Sequence, residues 1–230
     1  MTIKRNLSKL KKKIKFFLLP QKKYDLFEYK DKDGNFDYQL YKSIQEAGNK
    51  RKIDRSWATE EDMAFLAKQI KKRVAAPFFG ICHGTRRGLE QKWLAENLGN
   101  IEVIGTEIAE TAKDFPNTVQ WDFHEENPEW VGKADFVYSN SFDHSYDPKK
   151  SLSAWMRSLK PGGVCILQHS EDHTPDSVNE LDPFGASLDA LPYLILTWGE
   201  GSYSVRKIIQ SPHIKNGKSS SFLIVQNNET

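Results

Sequence analysis

Residues 79–90 read FGICHGTRRGLE. An apolar run ends at Cys82-His83, Gly80, Gly84 and Gly88 stand four apart, and Leu89 opens a stretch with helical spacing. A strand that passes through a glycine-bearing turn into a helix forms a ligand-binding corner in open α/β sheets. Small residues there let a ligand approach the backbone. The spelling is neither GxGxxG nor GxxxxGK[ST], so the stretch's place in the chain carries the inference.

From residue 77 onward short apolar runs alternate with helical ones. PFFGIC, IEVIGTE, NTVQWDF, ADFVYSNS and GVCILQHS predict five strands. RGLEQKWLAENLG, closed by Gly99, predicts a helix. So does DPKKSLSAWMRSLKPGG, with Leu152, Trp155, Met156 and Leu159 on one face. Strands alternating with helices mean right-handed crossovers and a parallel sheet. YSVRKIIQS and SSFLIVQN flank a loop containing Asn216-Gly217 and predict a closing antiparallel hairpin, its loop longer than the two-residue type.

Upstream, Ile3, Leu7, Leu10, Ile14, Phe17 and Leu18 form a helical stripe opposite a lysine face, stopped by Pro20. Such a helix packs on the main domain or another subunit, lies on a membrane, or contacts nucleic acid. Asp33-Gly34 marks a turn, a helix ending at Gly48 follows, and NKRKIDRSWA reads as a linker. TEEDMAFLAKQIKKRV opens with a Thr59 cap, with Met63, Leu66, Ile70 and Val74 at helical spacing. The chain divides into a basic amphipathic helix (1–20), an extension serving as substrate lid (21–75) and the α/β domain (76–230).

The composition is that of a globular protein, 38% hydrophobic and 28% charged, and a net charge of +2 demands no nucleic-acid partner. Cys82 and Cys165 fall in apolar runs and read as buried free thiols of a reducing compartment. No run reaches the roughly 18 apolar residues of a membrane span, so a cytoplasmic location is expected, with peripheral membrane contact through residues 3–18.

Glu107 ends the second strand, where an acid binds a ribose diol. Nicotinamide, flavin and S-adenosylmethionine all contain that ribose. A dinucleotide needs a second half-site and a substrate domain; after the fifth strand only about 60 residues remain, ending in a hairpin, which suits one nucleoside. Residues 77–227 resemble a class I S-adenosylmethionine-dependent methyltransferase. The family's glycine motif aligns as Cys82, Gly84, Arg86, Gly88: two glycines match, while its acid and its second glycine do not. Glu107 matches its ribose acid and Asp122-Phe123 its adenine-contacting pair. ADFVYSNSFDHSYDPKKSLSAWMRSLKPGG resembles its fourth strand, substrate-facing loop, next helix and Lys-Pro-Gly-Gly turn.

The resemblance implies a Rossmann-like, doubly wound, mostly parallel seven-stranded sheet with a C-terminal antiparallel hairpin. It also implies binding of S-adenosyl-L-methionine, with S-adenosyl-L-homocysteine as product. The implied cofactor-binding residues are Gly80, Cys82, His83, Gly84, Arg86, Gly88, Glu107, Ile108, Asp122, Phe123, Asn140 and Ser141.

His83, His124, His144, His169 and His173 all fall near strand ends. An alcohol acceptor must lose a proton, and histidine is the usual taker. His144 after the fourth strand is the first candidate and His169 the second. A metal set drawn from His144, His169, His173 and Asp172 is loosely spaced, and no metal is expected. Asn179, Glu180 and Asp182 are candidates for substrate hydroxyls, and Tyr24, Tyr29, Tyr38, Tyr41 and Trp57 for the lid. The expected reaction is O-methylation of a small hydroxylated metabolite: a sugar, a sugar nucleotide or a glycan precursor. RNA or protein methylation, or a non-catalytic cofactor-binding or membrane-attached module, stays open beside it, as does assembly into a homo-oligomer.

Overall fold

The computed structural model describes residues 22–228, so the basic helix expected at 3–18 lies outside the described residues. Among the described residues nine strands and five α-helices follow in order: β1 (Tyr24–Leu26), α1 (Tyr38–Arg51), α2 (Glu60–Lys71), β2 (Phe79–His83), α3 (Leu89–Leu98), β3 (Glu102–Glu107), β4 (Thr118–Gln120), β5 (Ala134–Ser139), α4 (Pro148–Ser158), β6 (Leu159–His169), β7 (Phe184–Ala186), α5 (Leu191–Trp198), β8 (Tyr203–Lys215) and β9 (Lys218–Asn227).

The main sheet has seven strands in the order β4-β3-β2-β5-β6-β9-β8. Pairs from β4 to β6 are parallel; β9 runs antiparallel to both β6 and β8. The strand order reverses between β2 and β5, and the crevice at that switch point is where open sheets bind ligands. Side chains alternate across it. Ile81, Val137, Cys165, Leu167, Leu223 and Val225 face the core built with α4 and α5. Cys82, Phe136, Tyr138, Val164, Ile166, Phe222 and Ile224 face the core built with α2 and α3. Both cysteines are buried and free.

Capping sets the helix starts. The Asp37 side chain accepts from Leu40 N at 2.9 Å, Thr59 Oγ1 from Asp62 N at 3.1 Å, and Asp147 from Lys150 N at 2.9 Å. Each satisfies an amide that a helix start leaves bare. Gly99 closes α3 in the left-handed region.

Five details differ from the sequence expectation. The hairpin loop is only two residues, because Lys215 pairs with Lys218 and both Asn216 and Gly217 take positive φ, the tight type that matches strand twist. Helix α1 continues past Gly48 to Arg51, since Gly48 packs against Leu181 instead of ending the helix. The third strand shrinks to Thr118–Gln120, and Lys160-Pro161-Gly162-Gly163 lies within β6 instead of preceding it. Finally, the segment expected as a mouth-covering loop contributes β7, which pairs with β1, and α5. The extension is thereby stitched to the domain.

Candidate active site

The corner after β2 turns sharply. Gly84 has φ +72°, and a Cβ there would fall 2.6 Å from Ser141 Cβ, so only glycine fits this close approach. Arg86 also takes positive φ, 49°, the left-handed conformation for which glycine is the usual choice. Its guanidinium points away from the loop and donates through Nη1 to the carbonyls of Arg55 (2.8 Å) and Lys52 (3.3 Å). The arginine at the family's glycine position thus fastens the extension to the corner.

Glu107 is buried at the end of β3. Its Oε2 accepts from Arg86 N and its Oε1 from Ala109 N, both at 3.1 Å. Burial raises its pKa despite those two amides. A carboxylate has about four acceptor sites, so lone pairs remain for a diol.

Two cavities meet at this corner and share Lys52, Gly84, Arg86, Ser141 and His144. The narrow one, about 50 Å³, is lined by Glu107, Ile108, Asp122 and Phe123 and roofed by Gln45, Asn49 and Leu181. The wide one, about 710 Å³, runs on past Asn140, Asp143 and His173 to Trp57. Lys215 Nζ pins its outer wall by donating to the carbonyls of Ser56 (2.6 Å) and Trp57 (2.5 Å).

Several expected site residues lie elsewhere. Gly80 is small because the Phe136 ring lies over it, with a Cβ meeting the ring at 2.1 Å. Cys82 faces the α2–α3 core, and Gly88 caps α3. His83 stacks on Trp155 at 4.8 Å and bonds Thr106 through Nδ1; burial lowers its pKa to about 3. None of the four lines either cavity. His169 is buried, bonds the Ala186 carbonyl through Nε2 at 2.8 Å, and is lowered by burial to about 4. It stands outside both cavities.

Asp122 holds the strand end together: Oδ2 accepts from Tyr38 at 2.8 Å and Oδ1 from His124 Nδ1 at 2.7 Å. Of the five lid aromatics only Trp57 lines the wide cavity. Tyr29 and Tyr41 are buried, and Tyr41 packs on Tyr146 and His124.

His144 sits on a single 3-10 turn (142–144) anchored by buried Phe142. Its Nδ1 meets Gln45 Oε1 at 2.8 Å. The Gln45 amide is oriented by its own bond from Nε2 to the Leu181 carbonyl at 2.9 Å. Nδ1 therefore carries the proton, and Nε2 presents a lone pair. Gln45 lies in the extension, out of reach of a motif reading. Glu90 was also missed: it lies in the first turn of α3, lines the wide cavity, and is pushed up to about 7 by burial. Nothing in its local sequence separates it from a solvated helix acid.

Residues 81–167 match a family model described as a methyltransferase domain. That span runs from β2 to β6 and contains Gly84, Glu107, Asn140 and His144. Over this span the chain is similar to S-adenosylmethionine-dependent methyltransferases. Solved structures share its fold at low identity. A Burkholderia thailandensis 1,6-didemethyltoxoflavin-N1-methyltransferase, bound to 1,6-didemethyltoxoflavin and S-adenosylhomocysteine, superposes with TM-score 0.64 at 13% identity, over 85% of this chain and 92% of that one. The N-methyltransferase NodS of Bradyrhizobium japonicum, with S-adenosylhomocysteine, gives 0.57 at 11% identity over 81% and 100%. The mitomycin 7-O-methyltransferase MmcR gives 0.52 at 11% identity over 74% and 54%. No curated protein matches the chain by sequence.

The site's residues suit S-adenosylmethionine chemically. Gly84 leaves room that a Cβ would fill, and buried Glu107 keeps lone pairs for a ribose. Ile108 and Phe123 offer apolar walls to a base. The narrow cavity is constricted where Leu181 packs on Gly48. Among the described residues no helix is long and apolar enough to cross a membrane.

Proposed function

We propose that this methyltransferase O-methylates a small hydroxylated metabolite carrying an anionic group, such as a sugar nucleotide. The bound cofactor supplies an electrophilic methyl on a sulfonium. Gly84, Glu107, Ile108, Asp122, Phe123 and Ser141 hold it, and buried Glu90, beside Asn140 (3.4 Å), supplies the negative charge that Cys82 cannot. The extension, residues 21–75, acts as a lid through Gln45, Asn49 and Trp57.

One observation carries the oxygen-acceptor reading: His144 lines both cavities, its Nδ1 bonded to Gln45 and its Nε2 left to accept. A hydroxyl brought there has an acceptor for its proton, and the geometry precedes any pKa argument. Positioning supplies most of the remainder. The anionic group is suggested by Lys52, Arg55 and Arg87. They line the wide cavity and have no ion-pair partner among the described residues.

The test is a panel of sugars, sugar phosphates and sugar nucleotides incubated with methyl-¹³C donor and read by NMR of the product. The expected result is an O-methyl signal, strongest with phosphorylated acceptors and reduced in His144→Gln. An N- or C-methyl product would overturn the oxygen assignment.

A further inference from the structure

His144, Asp143 and Asp182 face one another at the wall of the wide cavity. His144 Nε2 and one carboxylate oxygen each from Asp143 and Asp182 lie within 4.8 Å of one another. We propose that these three residues bind a divalent transition-metal ion at the acceptor side of the site. The inference builds on the reading of the wide cavity as the acceptor's place.

Each of the three is held from behind. Gln45 takes the Nδ1 proton of His144, leaving Nε2 bare at 3.5 Å from Asp182 Oδ1. Asp182 Oδ2 accepts from Asn179 Nδ2 at 3.1 Å, so Oδ1 is its free oxygen. Ser170 N donates to His173 Nδ1 at 3.0 Å. The His173 proton is thereby on Nε2, 3.6 Å from Asp143 Oδ2. Asp143 Oδ1 is buried without a hydrogen-bond partner among the described residues, and Asp143 as a whole is only 9% exposed. Metal ligands are typically oriented in this way by outer hydrogen bonds.

A lone pair facing a carboxylate repels it, and a desolvated carboxylate oxygen without a donor is costly. A proton on His144 Nε2 would settle the contact with Asp182 but leave Asp143 Oδ1 bare. A divalent cation takes one donor atom from each of the three residues. Metal bonds of about 2.0–2.2 Å place donors roughly 3–4 Å apart. The set therefore contracts slightly on binding, which the half-exposed Asp182 loop allows. An imidazole with two carboxylates suits manganese, iron, cobalt, nickel or zinc, while magnesium and calcium prefer all-oxygen sites. The remaining positions open onto the cavity, where an acceptor hydroxyl ligated to the ion becomes more acidic. With the ion bound, His144 is a ligand in place of the base, and the acidified hydroxyl gives its proton to cavity water; without the ion, Nε2 takes that proton.

The test is calorimetric titration of Mn²⁺ into chelator-treated full-length protein, followed by the visible spectrum of the Co²⁺ form. Expected are one ion per chain, at least tenfold weaker binding in Asp182→Asn, and about tenfold in Asn179→Ala, which removes the partner of Asp182 Oδ2 together with the bonds that shape its loop. Asp182 and Asn179 lie on a surface loop, and thermal melting checks that both variants stay folded. The Co²⁺ spectrum should shift in His144→Ala. Folded protein that binds neither ion, or binding unchanged by Asp182→Asn and Asp143→Asn, would overturn the site. S-adenosylhomocysteine titrated into the same samples separates the two claims. Its binding without metal sinks the ion site alone; metal binding without it sinks the cofactor reading alone.

Discussion

Replacing Gly80 by alanine separates two roles a glycine can play at this corner. Gly80 pairs with Phe136 across β2 and β5, and the ring lies over it. A Cβ at residue 80 would stand 2.1, 2.4 and 2.6 Å from ring atoms Cζ, Cε1 and Cε2. The ring cannot swing away, because Phe136 is fully buried in the α2–α3 core. Forcing a methyl into a packed core costs about 1–3 kcal/mol, and an overlap this deep belongs at the upper end. At roughly 2–4 °C per kcal/mol for a chain of this size, Tm should fall by about 6–12 °C. Leucine at 136 lacks the far ring atoms that collide. The double variant Gly80→Ala/Phe136→Leu should thus be more stable than the sum of its single changes, with a coupling of about 1–3 kcal/mol. Calorimetry on the folded variant should show S-adenosylhomocysteine affinity unchanged. Unaltered Tm together with lost affinity would refute the reasoning and make Gly80 a cofactor contact.

Glu90, pushed up to about 7 by burial, should make binding of the product's ammonium group pH-dependent. Ionisation is completed as pH rises through 7, so affinity should be about tenfold higher at pH 8 than at pH 6, with Glu90→Gln flattening the profile. For folding the sign is opposite. The folded state binds the extra proton between the unfolded value near 4.5 and 7, so Glu90 lowers stability as pH rises across that window. A urea titration of Glu90→Gln against wild type at pH 5 and pH 8 checks this. Leu181→Ala should tighten S-adenosylhomocysteine binding by opening the narrow cavity; weaker binding would make Leu181 part of the cofactor's wall. His169→Asn should cost stability through the lost bond to Ala186 but leave turnover per folded molecule unchanged, whereas His144→Asn should lower turnover. Equal losses of turnover would return His169 to the site.

The fold was legible because its evidence is local and repeated. Strand-length apolar runs, the Gly99 stop and the Asp147 cap each point to one element, and their alternation fixes a parallel sheet. The hairpin turn was misjudged because strand ends on polar residues, Lys215 and Lys218, look like loop. Of the candidate site, Gly84, Glu107 and His144 could be placed from their positions at strand ends. Gly80, Cys82, His83 and Gly88 share the motif's neighbourhood but point into cores or a cap, since alternate residues of a strand face opposite sides. Gln45, Glu90, Asn179 and Asp182 come together only through tertiary packing, from an extension, a helix start and a distant loop. No spacing in the chain encodes that meeting.

The central claim is a methyl-donor site built on Gly84 and Glu107, and calorimetric titration of S-adenosylhomocysteine tests it most directly. Wild type, Glu107→Gln and Glu107→Ala are compared, with NAD as the competing ligand and thermal melting to confirm folding. Loss of hydrogen bonds to a charged group is worth about 1.5–3 kcal/mol, so affinity should fall at least tenfold in Glu107→Ala, and NAD should not bind. Folded wild-type protein that ignores S-adenosylhomocysteine, or a Glu107→Ala variant that binds it equally well, would contradict the account.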